Sequence, residues 1–116
     1  MSYMFQGWSK GFGIDVSELE LNRVLNMEGM FKDSTLALVT INATNLGSSG
    51  SKINFSYMFS GCSLLQEIYV SGVTDWRNLA SSSTNMFAGC EYLYYGGATD
   101  VSRACLLDYD GFFTAA

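Results

Sequence analysis

The sequence predicts a repeat solenoid, in which one short parallel β-strand from each 26–28-residue repeat stacks into a curved, right-handed ladder. Three observations predict it. The dipeptide Met-Phe recurs at nearly constant spacing, an apolar stretch with a period of two follows it, and a second apolar cluster precedes it. The apolar patches of one repeat are too few to bury themselves, so neighbouring repeats must stack to form one continuous core.

The Met-Phe anchors define the repeat length. Met4, Met30, Met58 and Met86 each precede a phenylalanine and lie 26, 28 and 28 residues apart (30 − 4, 58 − 30 and 86 − 58). Phe112-Phe113 follows 26 residues later (112 − 86), which predicts a fifth, partial anchor. The chain is therefore one module, residues 1–116, with approximate repeats at 1–26, 27–54, 55–82 and 83–108 and the start of another at 109–116.

The apolar residues around each anchor predict the strands and the rest of the core. After three of the anchors, apolar residues alternate with polar ones, which makes a strand with one buried and one exposed face: Ile14 and Val16, Val39 and Ile41, Ile68 and Val70. The fourth repeat has Gly96 and Ala98 at these places. The cluster five and three residues before an anchor comprises Leu25 and Met27, Ile53 and Phe55, and Leu107 and Tyr109.

Length, composition and charge exclude several classes of protein. The 116 residues suffice for one domain, and 48% hydrophobic with 15% charged residues favours a folded chain. The formal net charge of −5 offers no basic face for nucleic acid or an anionic membrane surface. No apolar run approaches the roughly 18 residues of a transmembrane helix, and the first residues carry no signal-peptide pattern. We expect no nucleic-acid partner and no membrane insertion.

The residue types that carry chemistry are few. The sequence has no histidine, the commonest general base and metal ligand. Cys62 and Cys90 occupy the same phase of the repeat, as does Trp8, so we expect all three to be buried and the two thiols to be free. A disulfide between them remains an alternative, because adjacent parallel strands lie about 4.8 Å apart. Cys105 is also predicted to be core, and no cysteine spacing suits zinc.

The acidic pairs Glu18 and Glu20, and Asp108 and Asp110, are interpreted as solvated surface charge. We therefore predict no catalytic residue, no metal site and no cofactor.

The outward positions of the strands are the candidate binding site. Ladder geometry aligns them into one continuous surface: Asp15, Ser17, Thr40, Asn42, Glu67, Tyr69, Ser71 and Tyr95. Tyrosine and tryptophan are the side chains most suited to stack on a sugar ring or to anchor a protein partner. Tyr69 and Tyr95 supply them on this surface, and Trp76, Tyr92 and Tyr94 are further candidates.

The ends of the chain bear on its partners. Residues 1–5 begin inside a repeat and residues 112–116 end inside another, without a polar cap at either terminus. An uncapped solenoid exposes core and strand edges, which favours self-association. The sequence thus predicts a fragment of a longer array, or ends that partner chains cover.

Two segments resemble a known family. Residues 54–65 read N-F-S-Y-M-F-S-G-C-S-L-L and residues 85–93 read N-M-F-A-G-C-E-Y-L. They resemble the BspA-like leucine-rich repeat surface proteins, whose repeats read approximately N-M-S-x-M-F-x-G-C-x-x-L-x-x-L-x-L. The likeness covers most of the chain, with Trp8 in place of the family's cysteine in the first repeat and one residue fewer in the second. It implies a leucine-rich-repeat-like ladder on a microbial cell surface or in the extracellular space, as part of a longer protein.

The resemblance implies adhesion or binding to protein or glycan and implies no chemistry. We therefore expect a non-catalytic binding module, and two other classes remain open. One is a structural or receptor-binding segment of a phage tail or another assembly. The other is a polysaccharide-active β-helix enzyme, for which four coils are short and for which Asp15, Thr40 and Tyr69 provide no stack of carboxylates.

Overall fold

The computed structural model of the chain describes residues 2–9, 11–16, 18, 24–47, 50–73, 75–93, 104 and 112–115. Six short strands occur in them: β1 (Gly13–Asp15), β2 (Leu38–Ala43), β3 (Ile53–Asn54), β4 (Glu67–Gly72), β5 (Ala80–Ser82) and β6 (Phe113–Ala115). They form a long sheet in the order β1-β2-β4-β6 and a short sheet of β3 and β5, and every pairing is parallel.

The long sheet is in the register that the repeat alignment predicts for its first three strands. Ile14 lies opposite Val39, and Val39 opposite Ile68. Along β2 the residues alternate between half-buried and buried, and the same alternation runs through the first five residues of β4. The aliphatic side chains of one face therefore stack as continuous columns beneath the sheet.

The last strand of the long sheet corrects the sequence alignment. Phe113 lies opposite Ile68, in a strand position, and not in the anchor position assigned to Phe112-Phe113. The strand expected at Gly96 and Ala98 lies outside the described residues. Phe113 is fully buried against Trp76, with ring centroids 4.7 Å apart. An aromatic side chain at this place buries far more apolar area than a glycine or alanine would.

The Met-Phe anchors lie in four tight turns stacked in a column, which we call turn 1 (residues 2–8), turn 2 (28–34), turn 3 (56–62) and turn 4 (84–90). Each turn holds two residues at positive φ, at its second and sixth positions: Tyr3 and Gly7, Gly29 and Asp33, Tyr57 and Gly61, Asn85 and Gly89. Because equivalent residues repeat the same unusual backbone conformation, the four turns are copies of one structure.

Backbone hydrogen bonds join each turn to the next in one direction. In turn 1 the N–H groups of Tyr3, Phe5 and Gly7 donate to carbonyls of turn 2 at 2.8, 2.7 and 2.8 Å. Equivalent N–H groups of turn 2 and turn 3 donate to turn 3 and turn 4 at 2.7 to 2.9 Å. The turn column is therefore held by the same kind of ladder as a parallel sheet.

The phenylalanine anchors form the centre of the core. Phe5, Phe31, Phe59 and Phe87 stack face to face, with successive ring centroids 5.5, 5.4 and 5.5 Å apart. The methionines that precede the last three, Met30, Met58 and Met86, are also buried. Identical residues at equivalent positions of successive turns thus pack against each other.

The second apolar cluster is buried only in part. Met27, Ile53 and Phe55 are fully buried. Leu25, expected in the same cluster, is 48% exposed, and Leu107 and Tyr109 lie outside the described residues. Leu25 precedes the bridge between Asn26 and Asn54, where pairing on this side of the molecule begins, so its side chain has less of the core to cover it.

We call a turn together with the residues that follow it, up to the next turn, a level. The side chains of turn 1 and its neighbourhood are less covered by other side chains than those of the levels that follow. Tyr3, Met4 and Phe12 are 41%, 52% and 69% exposed. Trp8, predicted to be buried, is half-buried and packs edge-on against Phe5 with ring centroids 5.7 Å apart. In the part of the chain that the structure describes, turn 1 and β1 have a paired neighbour on one side, turn 2 and β2.

Candidate functional site

The outward face of the long sheet brings most of the predicted binding residues together. Asp15, Thr40 and Tyr69 lie directly opposite one another on β1, β2 and β4. Thr114 of β6 continues the row beyond Tyr69. Asn42 pairs with Ser71 in a second row, and Leu38 pairs with Glu67 in a third. With strands about 4.8 Å apart, these side chains form a regular grid that is polar except at Leu38.

Tyr69 occupies the middle of this grid and remains half-buried. The Glu67 carboxylate raises the pKa of the Tyr69 phenol above its ordinary value, chiefly by accepting a hydrogen bond from it. The two side chains lie on the same face of β4, because residues two apart in a strand point the same way. The Tyr69 ring therefore lies on the same face as a carboxylate, with Thr40 and Thr114 directly opposite it on the flanking strands.

Asn42 lies on the outward face and also stabilises the turn at the end of β2. Its side-chain oxygen accepts a hydrogen bond from the N–H of Thr44 at 3.1 Å and another from the Thr44 hydroxyl. Asparagine commonly closes turns in this way. We therefore count Asn42 among the residues that end β2 and give it less weight as a ligand contact.

Among the described residues, the charge of the outward face is acidic. Asp15 and Glu67 are its charged residues, and none of the four strands contains lysine or arginine. The described basic residues lie elsewhere: Lys32 in turn 2, Lys52 before β3, and Arg77 paired with Asp75 at 2.7 Å. The face therefore suits partners that donate hydrogen bonds or carry positive charge.

Two predicted members of the site, Ser17 and Tyr95, lie outside the described residues. Thr114 is a member that sequence reasoning missed, because the alignment placed residues 112–113 at an anchor. Its sequence signal is weak: the stretch F-T-A alternates only once between apolar and polar residues.

The other aromatic candidates divide into buried and exposed. Trp76 is fully buried, packs on Phe55 with ring centroids 5.3 Å apart and donates its indole N–H to the carbonyl of Val73 at 2.8 Å. The prediction that it stacks on a ligand is wrong. Tyr92 is 60% exposed and follows turn 4 in the chain. Tyr94 lies outside the described residues.

The cysteines are core residues. Cys62 and Cys90 are buried free thiols, and each donates to the carbonyl of the anchor phenylalanine one level earlier, Phe31 and Phe59, at 3.0 Å. Burial raises the pKa of both thiols, since it penalises the charged thiolate. A thiol held in this way is a poor nucleophile. Cys105 lies outside the described residues.

No family model, curated protein or solved structure matches the chain. Within the described ranges, no helix has the length and apolar character needed to cross a membrane. The same part of the chain contains no group of three or more cysteine, aspartate and glutamate residues placed to hold a metal ion.

Proposed function

We propose that this chain is a short leucine-rich-repeat-like solenoid that acts as a non-catalytic binding module of a microbial cell-surface protein. Its ligand, a protein or a glycan, binds the outward face of the long sheet. The observation that carries the proposal is the alignment of Asp15, Thr40, Tyr69 and Thr114 in one row across four parallel strands.

The solenoid part of the proposal is supported by the parallel pairing and by the turn column. Turns 1 to 4 repeat the same positive-φ positions and the same hydrogen bonds to the next turn. The binding part is supported by the chemistry of the row. A tyrosine ring flanked by hydroxyl and carboxylate groups offers both a stacking surface and hydrogen-bond partners.

A catalytic function has less support. The sequence lacks histidine, and the two described thiols are buried with raised pKa values. The equivalent positions across the sheet hold one carboxylate, Asp15, where a polysaccharide-cleaving groove would need several.

The test begins with a glycan array and a protein array probed with the labelled module. The best ligand is then titrated against Tyr69→Ala and against Tyr92→Ala, which removes an exposed tyrosine elsewhere. We expect Tyr69→Ala to weaken binding about tenfold or more, because a central aromatic contributes most to such contacts, and Tyr92→Ala to leave it unchanged. An equal loss from both variants, or a loss from changes at Gly47 or Gly50 alone, would place the site on another surface.

A further inference from the structure

The outward face of the long sheet lacks the apolar anchors that protein partners use. A protein interface has a core of aromatic and aliphatic side chains, and a few of these supply most of the binding energy. The large hydrophobic side chains that are exposed among the described residues all lie outside the four strands of this sheet: Tyr3, Met4, Phe12, Leu25, Leu64 and Tyr92. The outward face therefore offers little apolar surface for a protein to cover.

Leu38 is the aliphatic residue of the outward grid, and it packs on the sheet itself. A Cβ added at Gly13, its partner on β1, would lie 3.3 Å from Cβ and 3.4 Å from Cδ2 of Leu38. The leucine side chain thus lies against the backbone of β1, in the space that a larger residue at position 13 would fill. It is not an anchor that projects towards a partner.

The hydrogen-bonding side chains of the face repeat at the strand spacing. Asp15, Thr40, Tyr69 and Thr114 lie directly opposite one another on successive strands. Neighbouring strands lie about 4.8 Å apart, so the four groups follow one another over about 14 Å. An extended peptide places side chains on one side only at every second residue, about 6.6 Å apart, and so does not match this row.

A linear polysaccharide matches the row better. An extended chain of β-linked pyranose units advances by nearly one strand spacing with each unit. Its hydroxyl groups both donate and accept hydrogen bonds, as the row of carboxylate, hydroxyl and phenol groups requires. The flat side of a pyranose ring also stacks on an aromatic side chain, which Tyr69 supplies in the middle of the face.

The charges of the face select among such polymers. Asp15 and Glu67 are acidic, and the four strands contain no lysine or arginine. The whole chain has a formal net charge of −5. A uronic-acid or sulfated polymer would meet like charge on the face and around it, which disfavours binding. The matching polymers are therefore the neutral ones.

We propose that the ligand of this face is a linear, neutral, β-linked polysaccharide that lies across the strands, with one sugar unit above each strand of the long sheet. The inference rests on the proposed function, because it assigns a ligand class to the same site. One unit stacks on Tyr69, and the hydroxyl groups of Thr40 and Thr114 bind the units on either side.

Electrophoresis of the protein through gels that contain a dissolved polymer tests the ligand class. The neutral polymers are soluble derivatives of cellulose and chitin, β-mannan and β-xylan. Hyaluronan is the matched control, because it is linear and β-linked but anionic. We expect at least one neutral polymer to slow the protein and hyaluronan to have no effect. No retardation by any of the four neutral polymers, or equal retardation by hyaluronan, would overturn the proposal.

The length of the bound segment tests the register of one unit per strand. Oligomers of one to six units from the retained polymer are titrated by calorimetry. Because the row spans four strands, affinity should rise about tenfold or more from two units to four, and less than about threefold from four to six. An affinity that does not depend on length would mean that the protein recognises a chain end, against the proposal.

Substitutions along and beside the row test the direction of the ligand. Thr40→Val and Thr114→Val each remove a hydroxyl group and keep a branched side chain that favours a strand. Each should weaken binding of the four-unit oligomer about three- to tenfold, without a shift of the melting curve. Ser71→Ala removes a hydroxyl from the next row of β4 and should change affinity less than about twofold. A loss from Ser71→Ala as large as that from Thr114→Val would mean that the ligand runs along β4, and would refute the proposal.

This proposal and the proposed function fail in different ways. If a protein ligand binds and requires Tyr69 while no neutral polysaccharide binds, the outward face remains the binding site and the polysaccharide inference is wrong. If a polysaccharide binds the wild type, Tyr69→Ala and Thr40→Val with equal affinity, both proposals are wrong.

Discussion

Gly72 ends β4 in a place where the chain allows no side chain. Its φ is +76°, and a Cβ there would lie 2.3 Å from Cα of Thr44 and 2.4 Å from its nitrogen, both of them backbone atoms of the adjacent level. Gly50 has a similar φ of +81° with nothing within 4 Å of the same point. Comparing substitutions at the two glycines therefore separates the cost of the backbone conformation from the cost of close packing.

Alanine substitutions at these glycines should differ in cost. Both substitutions should lower the free energy of unfolding by about 1–2 kcal/mol, because alanine disfavours a left-handed backbone conformation. Gly72→Ala should lose about a further 1–3 kcal/mol, because the backbone of Thr44 must move. Chemical denaturation of the two variants measures the difference, and equal losses would contradict the close approach of β4 to the end of β2.

The buried thiols make the stability of the protein sensitive to alkaline pH. Burial raises the pKa of Cys62 and Cys90, so the native state keeps protons that the unfolded chain releases above its ordinary thiol pKa of about 8.5. The contribution of these two thiols to the free energy of unfolding should thus be independent of pH below that value and should fall as the pH rises above it. Cys90→Ala should reduce the slope of this fall between about pH 8 and 9.5, whatever its effect at neutral pH. An unchanged slope would show that the thiol is exposed to solvent.

At the scale of an element, the phenylalanine column is the strongest packing feature. Phe59 lies between Phe31 and Phe87, at 5.4 and 5.5 Å. Phe59→Ala should lower the free energy of unfolding by about 3–5 kcal/mol through the cavity it leaves. Phe12→Ala, at a residue 69% exposed, is the control and should change it by less than about 0.5 kcal/mol. Comparable losses would mean that the anchors are not the core.

Strand β6 should be required for the last level of the long sheet. Phe113→Ala removes a fully buried ring that packs on Trp76, so we expect a loss of about 3–5 kcal/mol and a red shift of Trp76 fluorescence. Thr114→Ala, one residue along on the outward side, should leave both nearly unchanged. A Phe113→Ala variant with native stability and emission would show that β6 does not dock beside β4.

The sequence allowed the strands β1, β2 and β4 to be predicted in register, because alternating apolar residues follow each Met-Phe anchor at a fixed offset. The same reasoning failed for β6. Spacing alone placed Phe112-Phe113 at an anchor, whereas burial against Trp76 draws Phe113 into the sheet. The spacing of residues along the sequence does not indicate which of two segments fits better against a part of the core that is distant in sequence.

Within the candidate site, the row of Asp15, Thr40 and Tyr69 could be predicted, since equivalent positions of parallel strands lie opposite one another. The contact between Tyr69 and Glu67 and the closing role of Asn42 could not, because both depend on side-chain directions that spacing leaves open. Trp76 was misassigned because a large aromatic residue in a polar stretch looks exposed until its partners Phe55 and Phe113 are known.

At the scale of the whole molecule, the levels should differ in stability although their hydrogen bonds are alike. The N–H groups of Phe5, Phe31 and Phe59 donate at 2.7, 2.8 and 2.8 Å, but only Phe5 belongs to a level with a described neighbour on one side alone. Amide hydrogen exchange in dilute protein should therefore be faster at Phe5 than at Phe31 and Phe59. Uniform protection would mean that the four turns open together.

The equal offset between turn 2, turn 3 and turn 4 has a consequence for how the gene can change. Phe31 donates to Met58 and Phe59 to Met86, so both interfaces join residues 27 apart (58 − 31 and 86 − 59). An in-frame duplication of residues 57–84 would insert a further level whose two interfaces copy ones already present. Unequal crossing-over between the repeats would thus lengthen the protein without a new packing problem. The segments between turns also tolerate small changes in length, since Met4 and Met30 are two residues closer together than Met30 and Met58 (30 − 4 against 58 − 30) and Phe5 still donates to Met30 at 2.7 Å.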